Sequence, residues 1–117
     1  MNTRALAAGI LVEVVRDRKS LSAALTAALP AITETSDRAF VQALCYGVLR
    51  WYWRLDQVLK RLTRKPIKDD RIRMLALLGL FQLRYTRVQP HAAVGETVAA
   101  TGPSTWAKPL LNGVLRT

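Results

Sequence analysis

The chain has a single cysteine, Cys45, and a single histidine, His91. One of each leaves no internal disulfide, no cysteine cage for zinc and no histidine cluster, so no metal site is expected. Cys45 lies in the apolar run Leu44-Cys45-Tyr46-Gly47-Val48. A nucleophilic thiolate needs an electropositive setting, so a small core side chain is the expected role there. His91 follows Pro90 with no second ligand or acid beside it, and is expected to make a cap or loop hydrogen bond. Glu96 is the one acid after Asp70. A general base needs a partner, so Glu96 is expected instead to pair with Arg84, Arg87 or Arg116. No catalytic residue is assigned. What remains is the chemistry of cations and aromatic rings, which is the binding of anions.

The chain carries 18 Lys and Arg against 8 Asp and Glu, a net charge of +10. The excess is concentrated: residues 50–87 hold 11 basic and 3 acidic side chains. Arg50, Arg54, Arg61 and Lys65 repeat near helical spacing, and Arg64, Lys65 and Lys68 sit in a basic stretch around Pro66. Such a stripe meets phosphates through counterion release, without reading sequence. Trp53 falls outside the apolar sector of its segment. It is expected to pack under a loop or a neighbouring helix, with stacking on an unpaired base as the alternative. Trp106 is expected to anchor the last helix.

These residues need a scaffold. At 117 residues and 50% hydrophobic content, the chain suits one domain with a core and is too apolar for a disordered basic tail. No apolar run is long enough to span a bilayer, and no leader is read at the N-terminus; a cytoplasmic protein is expected. No segment of useful length alternates with period two, so the fold is all-α. Leu6, Ile10 and Val14 mark a first helix over about 4–18. Ser20 caps a second helix from Leu21 to Leu29, stopped by Pro30. A third follows Thr35-Ser36-Asp37 and is read as unbroken to Leu62, its stripe running from Phe40 through Leu44, Val48, Trp51 and Leu55 to Leu59. Asp69-Asp70 caps a fourth, about 71–84, apolar around its whole circumference and therefore central in a bundle. Pro90 opens a fifth and Trp106 a last one, giving six to seven helices.

A short repeat joins Leu44-Cys45-Tyr46-Gly47-Val48-Leu49-Arg50 to Leu110-Leu111-Asn112-Gly113-Val114-Leu115-Arg116. Glycine inside an apolar helix marks a close crossing, so Gly47, Asn112 and Gly113, with Gly79, are read as helix-packing residues. The last apolar run reaches Thr117 without a closing Gly or Pro, so the chain is expected to be an N-terminal piece of a longer protein.

Five segments, in this order and spacing, resemble one family. They are Arg4 with its following helix; Ala43-Leu44-Cys45-Tyr46-Gly47-Val48-Leu49-Arg50; Leu78-Gly79-Leu80-Phe81-Gln82-Leu83-Arg84-Tyr85-Thr86-Arg87; Pro90-His91-Ala92-Ala93-Val94-Gly95-Glu96-Thr97-Val98; and Asn112-Gly113-Val114-Leu115-Arg116. Together they look like the NusB-like N-terminal domain of the bacterial 16S rRNA cytosine-C5 methyltransferases (RsmB, also Sun or Fmu), over essentially the whole chain. The resemblance implies a NusB-like helical bundle and a parent enzyme using S-adenosylmethionine, whose two catalytic cysteines occur in Pro-Cys and Thr-Cys motifs. Neither motif occurs in this chain. It also implies RNA contact from the N-terminal arginine-bearing helix, which makes Arg4 a candidate, with Arg16, Arg18 and Lys19 behind it.

The RNA-binding candidates are therefore Arg4, Arg50, Arg54, Arg61, Arg64, Lys65, Lys68 and Arg87. The expected function is an accessory domain, with no cofactor of its own, that holds 16S rRNA for a methyltransferase domain C-terminal to Thr117. Its expected partners are 16S rRNA and that domain, with no membrane and no metal. Two alternatives stand beside it: a stand-alone NusB-type antitermination factor binding RNA and a ribosomal protein, and a module that packs on its own catalytic domain without touching RNA.

Overall fold

The computed structural model describes residues 2–117. Seven α-helices follow one another: α1 (Thr3–Val15), α2 (Leu21–Ala28), α3 (Thr35–Arg50), α4 (Tyr52–Leu62), α5 (Asp70–Tyr85), α6 (Pro90–Ala99) and α7 (Ala107–Leu115). A 3-10 turn, Leu29–Ala31, carries Pro30 after α2, and there is no strand among the described residues. The bundle is all-α.

Local chemistry sets most of the helix starts. Asn2 caps α1 by accepting from the backbone N–H of Arg4 and Ala5, Ser20 caps α2 through Ala23, and Asp69 caps α5 through Ile72. Pro90 is the first residue of α6, where its missing N–H costs nothing. The start of α3 differs from expectation. Glu34 holds the cap position without a side-chain bond, while Arg38 donates to the Ile32 carbonyl at 2.7 Å and to Thr35 Oγ1 at 3.2 Å. The first helix is also shorter than its sequence pattern. It ends at Val15, and Arg18 adopts φ 59°, a conformation that favours glycine.

α5 is the hub. Ile72 and every residue from Met74 to Gln82 are buried, and the helix packs on α1, α3, α4, α6 and α7. That explains its all-round apolarity. Two glycines allow close contact there. A Cβ on Gly47 would lie 2.0 Å from Phe81 Cζ, and one on Gly79 would lie 2.6 Å from both Leu115 Cδ atoms. Gly113 does not meet the packing role expected of it. A Cβ there has nothing within 4 Å, and the residue is exposed. Neighbouring Asn112 accepts from Arg116 Nε at 3.1 Å. The repeat is thus similar in sequence but not in packing.

The helix expected to run unbroken to Leu62 is divided at Trp51, which has φ −104° and ψ 18°. The Trp51 ring stacks on Tyr85 of α5, 4.7 Å between centroids and 6° from parallel. Arg73 of α5 binds both Tyr52 and Asp56 of α4. These contacts draw α4 onto α5, whereas α3 packs on both α1 and α5. A single straight helix would not serve both directions.

Candidate nucleic-acid interface

The expected cations fall into separate groups. Arg50 ends α3 and Arg54 lies in the first turn of α4; both are exposed. Their guanidinium carbons lie 5.5 and 5.7 Å from the Trp51 ring centroid, so two positive charges flank one ring. That ring is held by Tyr85, and Tyr85 by Phe81 at 6.0 Å. On one side of the arginine pair is a shallow recess of about 420 Å³ lined by Tyr46, Gly47, Arg50, Trp51, Phe81 and Tyr85. On the other, Trp53, Arg54, Gln57, Val58 and Arg61 line a second recess of about 490 Å³.

The exposed aromatics belong to this face. Trp53 is 77% exposed and Tyr46 57%. The expectation that Trp53 packs under a loop or helix is corrected: it projects to solvent. Tyr46 was not singled out in the sequence, although it stands four residues before Arg50 and eight before Arg54. That spacing could have placed it on the stripe.

Arg64, Lys65 and Lys68 are exposed in the loop between α4 and α5. They rim a third feature, a mainly apolar groove of about 830 Å³ whose walls include Leu62, Ile67, Trp106, Pro109, Leu110 and Val114. Trp106 was expected to anchor α7. It is instead 58% exposed on the wall of this groove. Arg87, also exposed, lies beyond α5 in the turn before α6.

Arg4 does not join these cations. Its Nε and Nη2 donate to Gln82 Oε1 at 3.1 and 2.9 Å, and its guanidinium lies 4.7 Å from the Phe40 ring centroid. Gln82, fully buried, in turn donates to the Leu78 carbonyl and to Thr97 Oγ1. Burial pulls Arg4 below its ordinary pKa, and the charge of Glu96 opposes that shift. Arg4 therefore helps join α1, α3, α5 and α6, and it lies apart from the basic stripe of α3 and α4. The pairing expected between Glu96 and Arg84, Arg87 or Arg116 is absent among the described residues, and Glu96 is exposed. His91 is exposed in the first turn of α6, where Gln89 occupies the cap position.

Three other cations of the 50–87 segment have structural partners. Arg73 Nη2 donates to Asp56 Oδ1 at 2.7 Å and its Nη1 to the Tyr52 hydroxyl at 2.7 Å. Lys60 pairs with the other Asp56 oxygen at 3.2 Å. Burial alone would raise Asp56, but the hydrogen bonds and charges of Arg73 and Lys60 outweigh it and hold the carboxyl below its usual range. Arg71 donates to the carbonyls of Ala100 and Thr101, tying α5 to the end of α6. Among the described residues, no ion pair engages Arg50, Arg54, Arg61, Arg64, Lys65, Lys68 or Arg87. The one acid inside the α4 stripe, Asp56, is buried and neutralised.

Cys45 is sealed in the core near the Ala7 carbonyl, and burial pushes its thiol up to about 12. A thiol so protonated at neutral pH is a poor nucleophile. The described residues contain no strand leading into a Gly-rich turn of the kind that holds a nucleotide cofactor. They contain no group of three or more His, Cys, Asp or Glu placed to hold a metal ion, and no helix long and apolar enough to cross a membrane.

Comparison with known proteins agrees with this architecture. The chain is 44% identical over 120 residues to ribosomal RNA small subunit methyltransferase B of Pseudomonas putida, covering 99% of this chain and 27% of that protein. It is 43% identical to the enzyme of that name from Vibrio vulnificus, covering 28% of it, and 38% identical to the probable one of Coxiella burnetii, covering 26%. The chain thus spans about a quarter of the length of these relatives. The NusB family matches residues 1–117, so the chain belongs to the NusB family.

Proposed function

We propose that this chain is an RNA-binding accessory domain that helps place 16S rRNA for an S-adenosylmethionine-dependent cytosine-C5 methyltransferase domain carried C-terminal to it in the same cytoplasmic protein. The observation that carries the RNA reading is the α3–α4 face. There Arg50, Arg54 and Arg61 stand without ion-pair partners beside exposed Tyr46 and Trp53, and the only acid of α4 is buried. Cations interleaved with open aromatic rings match a single-stranded nucleic acid, whose phosphates and bases each find a counterpart. The loop cations Arg64, Lys65 and Lys68, with Arg87, extend the positive surface. Holding RNA on a tethered domain raises its concentration at the catalytic site without new chemistry.

The names of the relatives favour this reading over a stand-alone antitermination factor. The apolar groove beside α7 favours adding part of the packing alternative: a module can bind RNA on one face and seat a segment of its own protein on another. Crosslinking the chain to 16S rRNA and mapping the crosslinked peptides tests the proposal. Crosslinks are expected in residues 46–68. Crosslinks confined to α2 or α6, or none, would contradict it.

A further inference from the structure

We propose that Trp53 is a stacking platform for one unpaired RNA base, with Arg54 and Arg61 on the adjoining phosphates. The inference rests on the RNA reading above and makes it specific: the ligand is single-stranded at this point.

Trp53 is the most exposed large apolar side chain of the described residues. A tryptophan usually hides much of its large surface, and this one does not. Its ring is nonetheless braced. Tyr52 meets it edge-to-face at 6.0 Å and 83°. The Tyr52 hydroxyl is held by Arg73 at 2.7 Å, and Arg73 is held by buried Asp56. The brace limits what the indole loses in freedom when a ligand covers it. Gln57 lies one turn further along α4 and Arg61 a second turn, so ring, amide and guanidinium share a strip about 12 Å long. Arg54 closes the recess on the side of the Arg50–Arg54 pair.

This surroundings selects the occupant. The recess is lined by two cations and no acid, so the partner is anionic. It presents one flat, open π-face, so the partner brings a flat ring. A nucleotide whose base is free supplies both features. A duplex does not, because its bases are already stacked inside and its outer surface offers phosphate and sugar.

The test compares a short single-stranded RNA of mixed sequence with a duplex of the same sequence, each titrated with wild-type chain and with Trp53→Ala, Trp53→Leu and Trp53→Phe over a range of salt. Trp53→Leu keeps apolar bulk without a π-face, and it serves if the alanine variant folds poorly. The expected result is a loss of about 5- to 150-fold for single strands with alanine or leucine. Phenylalanine should recover much of that loss, the duplex should be unaffected, and the salt slope should not change, because no phosphate contact is removed. Wild-type affinity in Trp53→Leu, or equal losses on both RNAs, would overturn the stacking role while leaving salt-dependent RNA binding in place. Failure of the wild-type chain to bind either RNA would overturn the underlying RNA reading itself.

Discussion

Arg4 and Asp56 are polar residues that each reach a partner on another helix, Gln82 and Arg73. Arg4 holds the buried Oε1 of Gln82, which has no second donor to replace it. Arg4→Ala should cost about 1–3 kcal/mol by chemical denaturation, the penalty for stranding a buried acceptor, with RNA affinity unchanged. Arg4→Ala combined with Gln82→Leu should cost less than the sum of the two single changes. Asp56 makes the stability depend on pH. Its carboxyl is depressed in the folded state, so its contribution is complete above the unfolded value of about 3.9 and drains away as pH falls through the folded value. The stability gap between wild type and Asp56→Asn should therefore be full at neutral pH and close below about pH 3.9. A gap that persists in acid would mean that the carboxylate charge is not what Arg73 and Lys60 use. The sequence disclosed little of this. Lys60 lies four residues beyond Asp56 and could be read as a helical pair, but Arg73 and Gln82 meet their partners only through folding.

At the scale of elements, composition and caps were informative. Ser20, Asp69 and Pro90 start helices as their chemistry requires, and the apolarity of 74–83, broken only at Gln82, marks the central helix. The division at Trp51 was hidden, because hydrogen bonding continues across it: Trp51 N–H donates to the Gly47 carbonyl and Leu55 N–H to the Trp51 carbonyl. Apolar periodicity therefore carries through, and only the Trp51–Tyr85 stack reveals why the chain turns. The repeated Gly-Val-Leu-Arg shows the same limit of local pattern. Gly47→Ala must displace the Phe81 ring and should cost about 1–3 kcal/mol. Gly113→Ala meets open space inside a helix and should stabilise by roughly 0.5–1 kcal/mol. Thermal melts of the two variants should move in opposite directions.

For the whole molecule, the net charge of +10 divides into structural and available parts. Arg4, Arg71 and Arg73 hold helices together and Lys60 pairs within α4, while Arg50, Arg54, Arg61 and the 64–68 loop face solvent beside exposed rings. The basic segment was legible from charge counting, but its division was not, since spacing alone does not say which guanidinium finds a carbonyl. The most direct test is a salt titration of RNA binding with wild type and the triple reversal Arg50→Glu, Arg54→Glu, Arg61→Glu, using a hairpin from 16S rRNA. The account predicts wild-type affinity that falls steeply with salt, and a triple variant at least about tenfold weaker with a shallower slope. Equal affinity and equal slope for the two proteins would contradict it.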